Sequence, residues 1–364
     1  MPDSPGGKVA MHIHATIEGI QYQPFFGRKL NEYDISHLQE ALQTDASFLL
    51  RFPDSSQVAV SVWVSPKRTR SYPFARVYDT YGFQGKKITL IPVYNDEGFD
   101  GERDYLQWDT VSLMSLLGVY VILGFYSHAE KNPHYPNKIT RQQMDINFLL
   151  EQFHAVMNYR SDALHWNLVQ TERLAEIGRL ACESYRVISE RTGVKMHSFE
   201  AVEKRLAVFS AGREKFISFS RRMAQEAQER EFRTVQPKEN LKGKKAKITI
   251  LNYLGGEYHF TCDEVEIHEN SLLLMEGKHS RDASLPSLSD IKDGLLKMIL
   301  YTNLKDVSLN GMKYIPQPVL KLTTGELLHE TPQIVETLNI LLREARANGF
   351  WVMLNENLIG SDER

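Results

Sequence analysis

Residues Thr261 to His279 read T-C-D-E-V-E-I-H-E-N-S-L-L-L-M-E-G-K-H, and no other stretch of the chain constrains its fold so tightly. A β-hairpin with its turn at Glu269-Asn270 sets Ile267 opposite Leu272, Val265 opposite Leu274 and Asp263 opposite Glu276. Side chains alternate faces along a strand, so Glu276 and Lys278 point the same way. Directly opposed residues have Cβ atoms about 4.5–5.5 Å apart, which brings Asp263 to the same place. Two such carboxylates hold a hard divalent cation such as Mg²⁺. A lysine beside them orients or activates a water, or stabilises charge on a phosphate oxygen. That combination points to phosphodiester hydrolysis. Glu264 and Glu266 compete for the part of the first acid, but both face away from Asp263, which is the preferred candidate.

Asp263, twelve intervening residues, then Glu276-Gly277-Lys278 resembles the PD-(D/E)XK signature of restriction-endonuclease-like nucleases. A hydrophobic strand runs into the E-x-K, and a helix follows. Ser289 is a candidate N-cap for that helix, and Ile291, Leu295 and Met298 recur at helical spacing. Cys262 stands where the signature carries its proline. The resemblance covers residues 200 to 325, about a third of the chain. It implies an α/β (α+β) protein: a restriction-endonuclease-like mixed sheet flanked by helices, with an additional N-terminal α/β region. It further implies that Asp263 and Glu276 bind Mg²⁺ while Lys278 positions or activates the attacking water. Many nucleases of this type add an acid from the helix before the first core strand, for which Glu226 and Glu229 are candidates. Plain i,i+4 ion pairing, as between Glu226 and Arg230, is the competing explanation. A standalone nuclease core without helicase motifs resembles a type II restriction endonuclease. Its expected partners are double-stranded DNA, a second copy of the chain (palindromic sites call for a two-fold protein) and a cognate DNA methyltransferase. A repair nuclease that reads DNA structure, and a non-enzymatic DNA-binding protein, are the alternatives.

Net charge is −3, which does not announce a nucleic-acid binder, but the distribution is uneven. Residues 221–247 hold nine Lys/Arg against four Asp/Glu. A second basic stretch, Lys67, Arg68, Arg70, Arg76, Lys86 and Lys87, is interleaved with Tyr72, Phe74, Tyr78, Tyr81 and Phe83. Phosphate-backbone contact requires clustered positive charge. Arg68, Arg70, Arg76, Arg221, Arg222, Lys244 and Lys245 are therefore the candidate DNA contacts. Asp79, Asp96 and Glu97 raise the question of a second metal site, against which stands the lack of a lysine after Glu97, where Phe99 lies.

The pattern suggests three regions: 1–138, a possible DNA-recognition α/β part; 139–233, helical; and 234–364, the nuclease core. Within the first, a short helix is expected at Asp34–Leu42 and another at Leu106–Leu117. Strands are expected at Ser47–Phe52, Val58–Val64, Arg76–Tyr81, Lys87–Tyr94 and Val119–Tyr126. Helices follow at Gln142–Asn158, Val169–Arg191, Phe199–Arg233 and Pro332–Asn348. With two cysteines and no segment apolar enough to span a bilayer, a cytoplasmic protein is expected.

Overall fold

Met11–Ile17 alternates strictly, setting His12, His14 and Thr16 against Ile13, Ala15 and Ile17, and it forms strand β1 with the second set buried. The structure is a computed structural model that describes residues 11–64, 72–200, 202, 204, 213–233, 244–329 and 331–360. After β1 the chain builds a separate unit from residues 27–221, then returns. Residues up to 26 and from 222 onward make up the other unit. This division differs from the three-region reading, which kept β1 apart from the C-terminal core and split the inserted unit in two.

In the inserted unit the strands are β2 (Glu32–Asp34), β3 (Ser47–Arg51), β4 (Gln57–Val62), β5 (Lys87–Pro92), β6 (Tyr94–Asp96), β7 (Arg103–Tyr105), β8 (Val119–Gly124), β9 (Tyr126–Lys131) and β10 (Ile139–Met144). One sheet has the order β2-β3-β4-β5-β8, and its last three strands are parallel. Helices Tyr72–Tyr81 and Trp108–Leu116 provide the crossovers parallel strands require. The strands carry continuous apolar runs such as Val58-Ala59-Val60 and Val121-Ile122-Leu123, as buried parallel strands do. Helix Ile146–Asn158 closes the core with Leu149, Phe153 and Val156. Several expectations need correction: Val169–Arg191 is divided between helices Ala163–Glu172 and Leu174–Thr192, and the helix expected from Asp34 begins as an α-helix only at Leu38. Arg76–Tyr81 is helix and not strand: Phe74, Val77, Tyr78 and Tyr81 follow helical spacing, with Val77 and Tyr78 buried. The start of Gln142–Asn158 belongs to β10, and the helix begins only after Asp145, whose carboxylate caps it by accepting the Phe148 N–H.

The other unit continues with β11 (Lys244–Asn252), β12 (Glu257–His268), β13 (Ser271–Ser280), β14 (Lys305–Leu309), β15 (Met312–Lys313), β16 (Ile315–Thr324), β17 (Trp351–Leu354) and β18 (Asn357–Ile359). With β1 they form a nine-stranded mixed sheet of order β15-β14-β1-β11-β12-β13-β16-β17-β18. Three antiparallel strands, β11 to β13, are followed by helix Leu288–Tyr301 and by β16, which runs parallel to β13. Pro332–Asn348 is a helix over the expected span, capped by Thr331 and ended by Gly349 at a φ of 74°. Glu344 of that helix, fully buried, ties down the segment after β1 by accepting the Phe25 and Phe26 N–H groups and the Tyr22 hydroxyl. Among the described residues no helix is long and apolar enough to cross a membrane. Both cysteines are buried and neither forms a disulfide.

Candidate functional site

β12 and β13 pair in the expected register, Val265 opposite Leu274 and Ile267 opposite Leu272. Glu269 in the turn takes a φ of 52°, the left-handed backbone that tight hairpin turns use. Against β11, the register of β12 slips between Cys262 and Val265. This bulge spans Asp263 and Glu264, and bulges re-aim side chains beside functional sites. Asp263 Oδ2 accepts the Gly277 N–H at 2.9 Å, so the first acid is fastened to the middle residue of the E-x-K.

Glu276 lies at the centre of the cluster, its side chain only 3 % exposed. Lys278 Nζ is 3.0 Å from its Oε1, and Lys297 Nζ is 2.7 Å from its Oε2. Lys278 also reaches Asp293 Oδ2 at 2.6 Å, and Lys297 donates to the Thr261 carbonyl at 3.4 Å. Asp293 and Lys297 stand four residues apart on helix Leu288–Tyr301, hence on one face. Its cap is Ser287, two residues earlier than Ser289: the hydroxyl accepts the Asp290 N–H and donates to the Asp290 carboxylate. Gly294 allows the helix to lie this close. A Cβ there would come 2.6 Å from Leu320 Cδ1 and 3.3 Å from Lys278 Cε.

Charge in the cluster is unevenly compensated. Burial, then the charge of Glu276, pushes the Asp263 carboxyl up to about 7, with Lys297 and Lys278 opposing. Burial would also raise Glu276, but Lys297 and Lys278 outweigh it and hold that carboxyl below the usual range. Lys278 resists burial because Glu276 and Asp293 flank it, and it is held above an ordinary lysine. Asp293 is raised by burial despite Lys278, and its Oδ1 has no hydrogen-bond partner among the described residues.

These residues suit a hard cation. Asp263 and Glu276 offer carboxylate oxygens, and burial followed by the charge of Glu276 is what disfavours ionisation of Asp263. No group of three or more His, Cys, Asp or Glu side chains gathers to hold a metal among the described residues. Two carboxylates nevertheless match Mg²⁺, which keeps several waters and takes one or two carboxylates plus substrate phosphate.

The other candidates lie elsewhere. Glu264, 1 % exposed, forms a separate buried pair with Lys321 at 2.8 Å, and Glu266 meets His268 at 3.1 Å. Glu229 pairs with Lys247 of β11, and Glu226 is exposed. Arg222 and Lys244 are exposed, while Arg221 and Lys245 are half-buried. Arg68 and Arg70 lie outside the described residues. Arg76 donates to the Val62 carbonyl, and Lys86 caps the end of helix Ile146–Asn158 through the carbonyls of Val156, Met157 and Tyr159. Asp79, Asp96 and Glu97 belong to different networks. Asp79 meets Arg28 at 3.3 Å, whereas Asp96 is fully buried and accepts from Tyr94, Gly98 and His197. Glu97 accepts the Glu102 N–H.

Asp293 and Lys297 are the members of the cluster that the hairpin pattern misses. Their signal is a polar stripe, Asp293, Lys297 and Tyr301 at intervals of four, on a helix whose other polar residues, Ser289, Asp290 and Lys292, all lie near its start. No protein-family model matches the chain, and neither a curated protein nor a solved structure does.

Proposed function

We propose that the protein is a Mg²⁺-dependent endonuclease acting on double-stranded DNA, of the type II restriction kind. The observation that carries this reading is the meeting of Asp263, Glu276 and Lys278 in one buried cluster, on a bulged hairpin whose E-x-K strand is followed by a helix. Mg²⁺ held by Asp263 and Glu276 supplies Lewis-acid stabilisation of charge on the phosphate. Lys278, held above an ordinary lysine by Glu276 and Asp293, orients water by donation and stabilises developing negative charge. Asp293 fixes that ammonium from the helix side. Arg222 and Lys244 are the best placed of the basic candidates for backbone contact, being exposed in the same unit. A homodimer and a companion methyltransferase belong to the same proposal.

The test is incubation of the purified protein with unmethylated phage or plasmid DNA, in Mg²⁺ or EDTA, beside Asp263→Asn and Lys278→Ala variants. Discrete fragments that require Mg²⁺ and disappear in both variants are expected, and the fragment ends give the recognition site. Smeared degradation favours a nuclease that reads DNA structure. A folded wild type that binds DNA and cuts none of several DNAs sinks the enzymatic reading and leaves a binding protein.

A further inference from the structure

Resting on the site just described, we infer that Lys297 is a built-in occupant of the cation position, whose ammonium must withdraw from Glu276 for a divalent ion to bind. Glu276 has two carboxylate oxygens, and each is taken by a lysine. The two lysines are not equivalent. Lys278 is held from behind by Asp293 at 2.6 Å, so it keeps a partner whatever happens at Glu276. Lys297 has its short contact with Glu276 Oε2, at 2.7 Å, and a longer one of 3.4 Å with the Thr261 carbonyl. It also acts on both acids: of the two ammonium groups, Lys297 exerts the larger pull on Asp263 as well as on Glu276. A charge that serves both carboxylates stands where a shared metal ion belongs.

The arrangement follows from the cost of an uncompensated charge in the interior. A buried carboxylate stripped of its partner is strongly destabilising, so a metal site this deep needs a cation of its own when no metal is present. Lysine suits that part because its charge rides on a flexible four-carbon stem, which can swing aside without moving the helix. In place, however, the ammonium repels an incoming divalent ion at close range. Cation affinity in the wild type is therefore the difference between metal binding and the loss of the Lys297–Glu276 pair.

The experiment is calorimetric titration of Mn²⁺, without DNA, into the full-length wild type and its Lys297→Met and Lys297→Gln variants, with Glu276→Gln as the control for the site. Gln keeps N–H donors for Glu276 and removes the charge, so it serves if Met impairs folding. Both neutral variants are expected to bind Mn²⁺ about tenfold or more tightly than the wild type, and Glu276→Gln to lose the binding. Equal or weaker binding in the folded neutral variants overturns the inference, as does a lack of Mn²⁺ binding by all four proteins. Cleavage of DNA by the wild type without any gain in affinity sinks this inference alone. A gain in affinity in a protein that cuts no DNA sinks the nuclease reading alone.

Discussion

A carboxylic acid that titrates near neutrality couples stability to pH in the sense opposite to most acids of a folded protein. Asp263 moves from 3.8 to about 7 on folding, chiefly through burial. Between those values the folded chain keeps a proton that the unfolded chain releases, so stability falls as pH rises through the window and levels off above it. Roughly three pH units correspond to at most about 4 kcal/mol. Raised Asp293 acts in the same sense, while the contribution of lowered Glu276 is lost only as pH falls below the ordinary glutamate range. Urea unfolding at pH 5, 6, 7 and 8 is expected to show this decline in the wild type without metal and a flatter profile in Asp263→Asn. An equally steep decline in the variant excludes Asp263 as its source. On the opposite sheet face, Lys321→Met strands the buried Glu264 and is expected to cost about 3–5 kcal/mol in the same assay. Pairing it with Glu264→Leu should recover most of that loss; no recovery means that the pair is not the cause. The two acids and Lys278 are legible from alternation along a hairpin. Lys297 is not, because its part depends on how the following helix is rotated about the sheet.

At the scale of elements, helix Leu288–Tyr301 depends on one missing side chain. Gly294→Ala gains about 1 kcal/mol of helix propensity but forces a methyl group against buried Leu320 and the stem of Lys278. Overpacking costs about 1–3 kcal/mol, so the net expectation is a loss in stability and a Lys278 moved off Asp293. A thermal midpoint at or above the wild type's rules this out. Ser287→Ala removes the cap and should cost about 1 kcal/mol by urea unfolding, whereas Ser289→Ala should change little. Elements whose pattern is local were readable: the β12–β13 hairpin with its register, and Pro332–Asn348 with its proline start and glycine stop. Tyr72–Tyr81 misleads because Val77, Tyr78, Thr80 and Tyr81 are residues that strands favour, and only the spacing of Phe74, Val77, Tyr78 and Tyr81 reveals a helix. The aromatic rings amid that basic stretch, which suggested a nucleic-acid surface, instead include the fully buried Tyr78 and a half-buried Phe74 packed edge-on against Trp63.

For the whole molecule, the decisive feature is that β1 lies inside a sheet whose other strands come from beyond residue 243. Its alternation is plain in the sequence, but its neighbours β11 and β14 are not, because nothing local specifies pairing across an inserted unit. A fragment of residues 234–364 leaves β11 and β14 facing a gap. It is expected to unfold without a cooperative transition, and fusion of residues 11–26 to it to restore one. A cooperative transition at an unchanged midpoint in the fragment alone refutes the dependence on β1. The same feature imposes an order in time. His12 leaves the ribosome 237 residues ahead of Thr249, with which it shares a hydrogen bond; at cellular elongation rates that is on the order of 10–50 s. Throughout that interval the growing chain has no finished sheet to carry the charged cluster. On the proposed function, a nascent chain cannot cut until the strands beyond residue 243 have been made and have closed around β1.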